Sequence, residues 1–193
     1  MIHNKYLEIM KHFLRGYDKE IYGRELVNKV RVSQKNIALT LDSLEREGVL
    51  VSTIKGNIKS FSLNRENPFI KKYLLLFEVG RAIEFFNKNS KIQQILEKFE
   101  GGGKIICIFG SYAKGLQKKS SDLDLFVVGN FDEVEIQKIG KDYGIKISVK
   151  GGSKKDFVNS LREKNSLMGE IVENHVLVSG YESFIEEVLK QKW

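Results

Sequence analysis

Two short runs carry residue types and spacings suited to chemistry on phosphate. Asp122 and Asp124 are separated by one residue. On a strand such a pair projects to one face, with Leu123 and Leu125 on the other. Adjacent carboxylates repel, and a cation between them relieves the repulsion. Their hard oxygens favour Mg²⁺ or Mn²⁺. Mg²⁺ commonly takes one or two carboxylates and completes its shell with water and substrate phosphates. Upstream, Gly110-Ser111 stands where an apolar run ends. A glycine lets a phosphate approach the backbone, and the amides of a helix start, with the serine hydroxyl, can hold it. Lys114, with Lys118 and Lys119 nearby, can neutralise charge. A phosphate cradle beside a two-carboxylate platform implies nucleotide chemistry at phosphorus.

The elements that must position these residues follow from the pattern around them. Lys104–Phe109 is a short β-branched apolar run and predicts a buried strand leading into Gly110. Cys107 lies inside it and reads as a core residue. Ser121–Val128 predicts a second strand that carries both aspartates. A later strand is expected over Gly144–Lys150, with Ile145, Ile147 and Val149 on its apolar face. Its other face offers Lys146, Ser148 and Lys150. The tail predicts a closing strand within Asn174–Gly180 and a helix over Tyr181–Leu189, with His175 in a structural place.

Phe109-Gly110-Ser111-Tyr112-Ala113-Lys114-Gly115, followed by Ser121-Asp122-Leu123-Asp124-Leu125, resembles the signature of minimal nucleotidyltransferase domains of the DNA polymerase beta-like superfamily. The resemblance covers roughly residues 101–193. It implies that Gly110 and Ser111 bind the triphosphate of ATP or another nucleoside triphosphate and that Asp122 and Asp124 bind metal ions and are catalytic. Two metals would then align an acceptor hydroxyl with the α-phosphorus and stabilise departing pyrophosphate. Members usually carry a third carboxylate on a later strand, and the expected strand here has none. Asp142 and Asp156 lie just outside it and read as surface residues. Tyr112 and Lys114 stand where many relatives have arginines. Two readings stay open. One is an enzyme that transfers a nucleotidyl group, AMP if ATP is the donor, to an unknown acceptor, with a protein as one candidate. The other is a DNA-binding regulator whose nucleotidyltransferase-like domain is weak or inactive and senses nucleotide or a partner.

The first third of the chain has a different pattern. Leu7, Met10, Phe13 and Leu14 predict a helix that ends at Gly16, and Gly23–Val30 a second one. Ser33 is a suitable N-cap for a third helix bearing Ile37, Leu41 and Leu44, which closes at Gly48. Val49–Ile54 and Ile58–Leu63 flank Lys55-Gly56-Asn57 and predict a hairpin. This order resembles a winged helix-turn-helix domain, which would bind double-stranded DNA. The resemblance places Gln34, Lys35 and Asn36 nearest the bases, Thr40 one turn along the same face, and Lys55 and Lys59 on phosphates.

The expected architecture is α+β. It comprises a winged helix domain over 1–66, a helical connector over 67–100 and a nucleotidyltransferase domain with a mixed sheet over 101–193. The only proline, Pro68, and the run Gly101-Gly102-Gly103 mark the divisions. The connector is apolar enough to serve as a packing surface or a homodimer interface. The chain has 193 residues, 41% of them hydrophobic and 30% charged, an ordinary globular balance. Of its net charge of +7, residues 1–66 carry 12 basic against 8 acidic groups, which fits a nucleic-acid partner. No apolar run approaches the roughly 20 residues of a spanning helix, so no membrane association is expected. The N-terminus shows no signal-peptide pattern, and the single cysteine fits a reducing cytoplasm. His3, His12 and His175 are too scattered for a closed zinc site. By family analogy a protein partner such as a toxin is a candidate acceptor.

Overall fold

The computed structural model describes residues 4–99 and 103–191. Gly101 and Gly102 of the expected glycine divider lie outside them. The described chain forms two compact units, 4–80 and Arg81–Gln191, divided within one long helix.

The first unit contains α1 (Asn4–Met10), β1 (Ile21–Tyr22), α2 (Gly23–Leu26), α3 (Gln34–Arg46), β2 (Leu50–Lys55), β3 (Ile58–Leu63) and the start of α4 (Ile70–Lys88). The three strands make an antiparallel sheet in the order β1-β3-β2. Helices followed by a hairpin sheet meet the winged-helix expectation. Ser33 caps α3 by accepting from the Asn36 amide, and Gly48 takes the left-handed conformation just past the helix end. Ile37, Leu41 and Leu44 are buried with Ile9, Phe13 and Leu26.

Two helices are shorter than the periodicity predicts. α1 stops at Met10, and tighter bonds of the Phe13 amide to the Met10 carbonyl carry Phe13 and Leu14 inward without continuing the helix. α2 stops at Leu26 because Val27 is extended and Asn28 turns to positive φ. In both places side-chain burial keeps a helical rhythm while the backbone makes turns.

The second unit contains the end of α4, α5 (Ser90–Glu97), β4 (Gly103–Phe109), α6 (Gly110–Lys114), β5 (Leu123–Gly129), α7 (Glu133–Asp142), β6 (Ile147–Gly152), α8 (Lys154–Glu163), α9 (Ser166–Glu173), β7 (Val176–Ser179) and α10 (Tyr181–Leu189). Its four-stranded sheet has the order β6-β5-β4-β7. β4 runs antiparallel to β5 and β7, while β5 and β6 are parallel, so the sheet is mixed as expected. Leu123, Leu125 and Val127 join one core with Ile92 and Ile95 of α5 and Ile136 of α7. On the opposite face Phe126 meets Phe157 of α8, which stacks on Phe184 of α10. His175 is buried there, its Nδ1 2.9 Å from the Ile171 carbonyl and its ring 4.7 Å from that of Phe184. The later strand begins at Ile147 rather than Gly144, because Gly144 turns to positive φ and ends the preceding connection.

Candidate active site

The candidate site lies where β4 ends and β5 begins. The antiparallel register sets Phe109 opposite Asp124, so Gly110 arrives against the Asp124 side chain. Gly110 has φ +68, and a β-carbon there would overlap Oδ2 of Asp124 and lie 3.1 Å from its Cγ. Only glycine fits both the backbone conformation and the space. The chain then makes the single turn of α6 and leaves it at Gly115, with φ +70. Ser111, in that turn, accepts the Leu116 amide at its carbonyl.

Asp122 stands just before β5 and Asp124 within it, two residues apart, while Leu123 and Leu125 are fully buried. The expected alternation therefore sets both aspartates on the side away from the core leucines. Burial, then the charges of Asp122 and Glu170, hold the Asp124 carboxyl above the usual carboxylate range, and Lys150 opposes them. Asp122 is bridged by Lys146, whose Nζ lies 2.6 Å from Oδ2. That bond raises the Lys146 pKa.

The donor set fits a hard divalent cation. It offers carboxylate oxygens, and the negative charge that already disfavours ionisation of Asp124 is what a cation would relieve. Among the described residues no group of three or more His, Cys, Asp or Glu side chains is placed to hold a metal. The parallel pairing of β5 with β6 sets Ser148, not an acid, opposite Asp124. Asp142 ends α7. Asp156 is occupied in the capping box of α8, where its Oδ2 accepts from the amide and hydroxyl of Ser153. Those bonds lower its pKa.

Glu170 is the charged neighbour that sequence reasoning missed. Asn165 caps α9, and Met168, Ile171 and Val172 bury its inner face. Glu170, on its flank, meets Lys114 with Oε1 2.7 Å from Nζ. The two are 56 residues apart in sequence, and no spacing rule joins them.

In the first unit the expected DNA-contacting residues fare differently. Gln34, Lys35 and Asn36 are exposed over the first turn of α3. Lys55 is 70% exposed near the wing tip, its Nζ 3.5 Å from Glu20. Lys59 turns back onto α3, 2.8 Å from Glu45, 3.2 Å from Asp42 and 4.7 Å from the Phe61 ring centre. Thr40 corrects an expectation. It is 1% exposed, because it lies three residues from Ile37 and faces inward beside Leu41.

Comparison with known proteins adds the following. A crystal structure of a toxin-antitoxin with AMP-PNP aligns at 20% identity over 52% of this chain and 83% of that chain, with a TM-score of 0.37. The structure of TrmBL2, an archaeal chromatin protein with a novel mode of DNA binding, aligns at 15% identity. It covers 83% of this chain and 69% of that chain, with a TM-score of 0.29. No curated protein matches the chain in sequence. Among the described residues no helix is long and apolar enough to cross a membrane. The family model of the nucleotidyltransferase domain matches residues 89–179, a span that takes in the Gly110 turn and both aspartates. The chain therefore carries, over those residues, a domain of the nucleotidyltransferase family.

Proposed function

We propose that this chain is a metal-dependent nucleotidyltransferase joined to a DNA-binding winged helix. The observation that carries the enzymatic part is the contact of the Gly110 turn with the Asp124 carboxylate, two residues from Asp122. It sets a phosphate-holding turn directly against a cation-binding pair. Asp122 and Asp124 would hold Mg²⁺ or Mn²⁺, which supplies charge neutralisation at the reacting phosphate and activation of the acceptor oxygen. The Gly110–Ser111 turn binds the triphosphate, and Lys114 neutralises part of its charge. In the transfer an acceptor hydroxyl forms a bond to the α-phosphorus, pyrophosphate leaves with the α–β bridging oxygen, and the acceptor's proton passes to solvent. ATP is the donor to test first, and a protein hydroxyl, such as one on a toxin partner, is the acceptor class.

The experiment is calorimetry with each nucleoside triphosphate and Mg²⁺ or Mn²⁺, followed by transfer of labelled nucleotide. Asp122→Ala and Asp124→Ala are the controls. Binding and transfer lost in both variants support the enzyme, and transfer that survives them rejects it.

A second reading has its own support. The β6 side of the site presents Lys146 and Lys150 around the aspartates, and neither Asp142 nor Asp156 fills the place of a third acid. A chain that binds metal and triphosphate without transferring it would be a regulator that senses nucleotide while bound to DNA. Gln34, Lys35, Asn36 and Lys55 would form its DNA surface. Phe69 and Leu76 of the first unit, both exposed, support a homodimer, which sedimentation would test.

A further inference from the structure

Lys114 is the cation of the Gly110–Lys114 turn, yet its ammonium is held by a carboxylate. Its Nζ lies 2.7 Å from Glu170 Oε1, and the two side chains are each 37% exposed. Glu170 belongs to a different helix, α9, whose apolar face fixes its position. The carboxylate thus stands where it competes with an incoming anion for the same ammonium. It also adds negative charge near Asp124. A pair this exposed is worth at most about 1 kcal/mol, so a polyanion can displace the carboxylate.

We propose that Glu170 competes with the nucleotide's phosphates for Lys114 and so lowers the site's affinity for a triphosphate. A triphosphate carries enough charge to draw the ammonium away from Glu170. Glu170 is a positioning residue here, acting through Lys114 and touching neither donor nor metal. The proposal rests on the nucleotide-binding reading of this site.

The test is calorimetry of Mg²⁺–ATP binding to the full chain at about 0.15 M salt, where the screening length is about 8 Å. Wild type, Glu170→Gln, Lys114→Met and the double variant are compared. Glu170→Gln is expected to bind about two- to five-fold tighter, the range an exposed ion pair allows. Lys114→Met binds more weakly, and adding Glu170→Gln to it tightens binding less than it does where Lys114 is present. The last comparison separates competition for Lys114 from a general field, which would tighten binding in either background. Equal or weaker binding by Glu170→Gln overturns the proposal, as does tightening that is as large without Lys114. Wild type that binds no ATP overturns the nucleotide reading with it. Ordinary wild-type binding without the Glu170 effect overturns this proposal alone. Glu170 is partly exposed, so the variants are expected to fold, which thermal melting checks.

Discussion

Gly110 and Asp124 leave no room between them for a β-carbon. One built on Gly110 would overlap Asp124 Oδ2. The Gly110 turn and the Asp124 carboxylate are therefore one mechanical piece, and neither can shift without the other.

Gly110→Ala should lose at least about tenfold in metal-dependent nucleotide affinity, because the methyl group displaces Asp124 while the backbone stays at positive φ. It should also lose about 1–3 kcal/mol of stability. Gly115→Ala is the control. Gly115 shares the positive φ but has nothing within 4 Å of an added β-carbon. It should lose stability with little change in affinity, as calorimetry and denaturant melts would show.

Asp124 is kept at a cost to the fold. Its folded pKa is raised from 3.8, so the folded state holds the proton more firmly than the unfolded state. Stability therefore falls as pH rises from 3.8 through the raised folded pKa, and the penalty is complete above it. Asp124→Asn should raise Tm at pH 7 by roughly 1–3 °C, and the gain should vanish in acid. The same variant should lose Mn²⁺ binding. In the wild type, Mn²⁺ affinity should weaken as pH falls towards the raised pKa, because protons compete for the ligand.

Lys35 and Lys55 should act on DNA differently from Lys59. Removal of either exposed charge should weaken duplex binding and reduce the slope of log affinity against log salt by about 1. Lys59→Ala should change that slope little, since its ammonium is spent on Asp42 and Glu45. Its effect should appear as lower stability of the first unit. Fluorescence anisotropy at several salt concentrations decides between these outcomes.

Thr40 Oγ1 is buried without a hydrogen-bond partner. Thr40→Val should therefore stabilise the chain by about 0.5–1 kcal/mol and leave duplex affinity unchanged. Weaker DNA binding by this variant would restore Thr40 to the DNA surface.

Much of this was legible in the sequence because local rules decide it. The Ser33 cap, the Lys55-Gly56-Asn57 hairpin and the alternation of Asp122, Leu123, Asp124 and Leu125 each depend on a few neighbouring residues. What escaped depends on tertiary placement. β1 has two residues and exists only because Ile21 pairs with Phe61. Thr40 was assigned a surface by helical position, but the core lies on that side. Glu170 reaches Lys114 only after α9 has packed. The absence of an acid on β6 could be read in advance, whereas the lysine that bridges Asp122 required the parallel β5–β6 register.

The register that joins Phe109 to Asp124 has one more consequence. Between the turn and the first aspartate, residues 116–120 are all exposed. They are not needed to align the two halves of the site, since strand pairing and one glycine already do that. This stretch is therefore the natural place for sequence drift or insertion, which would leave the Gly110–Asp124 contact unchanged.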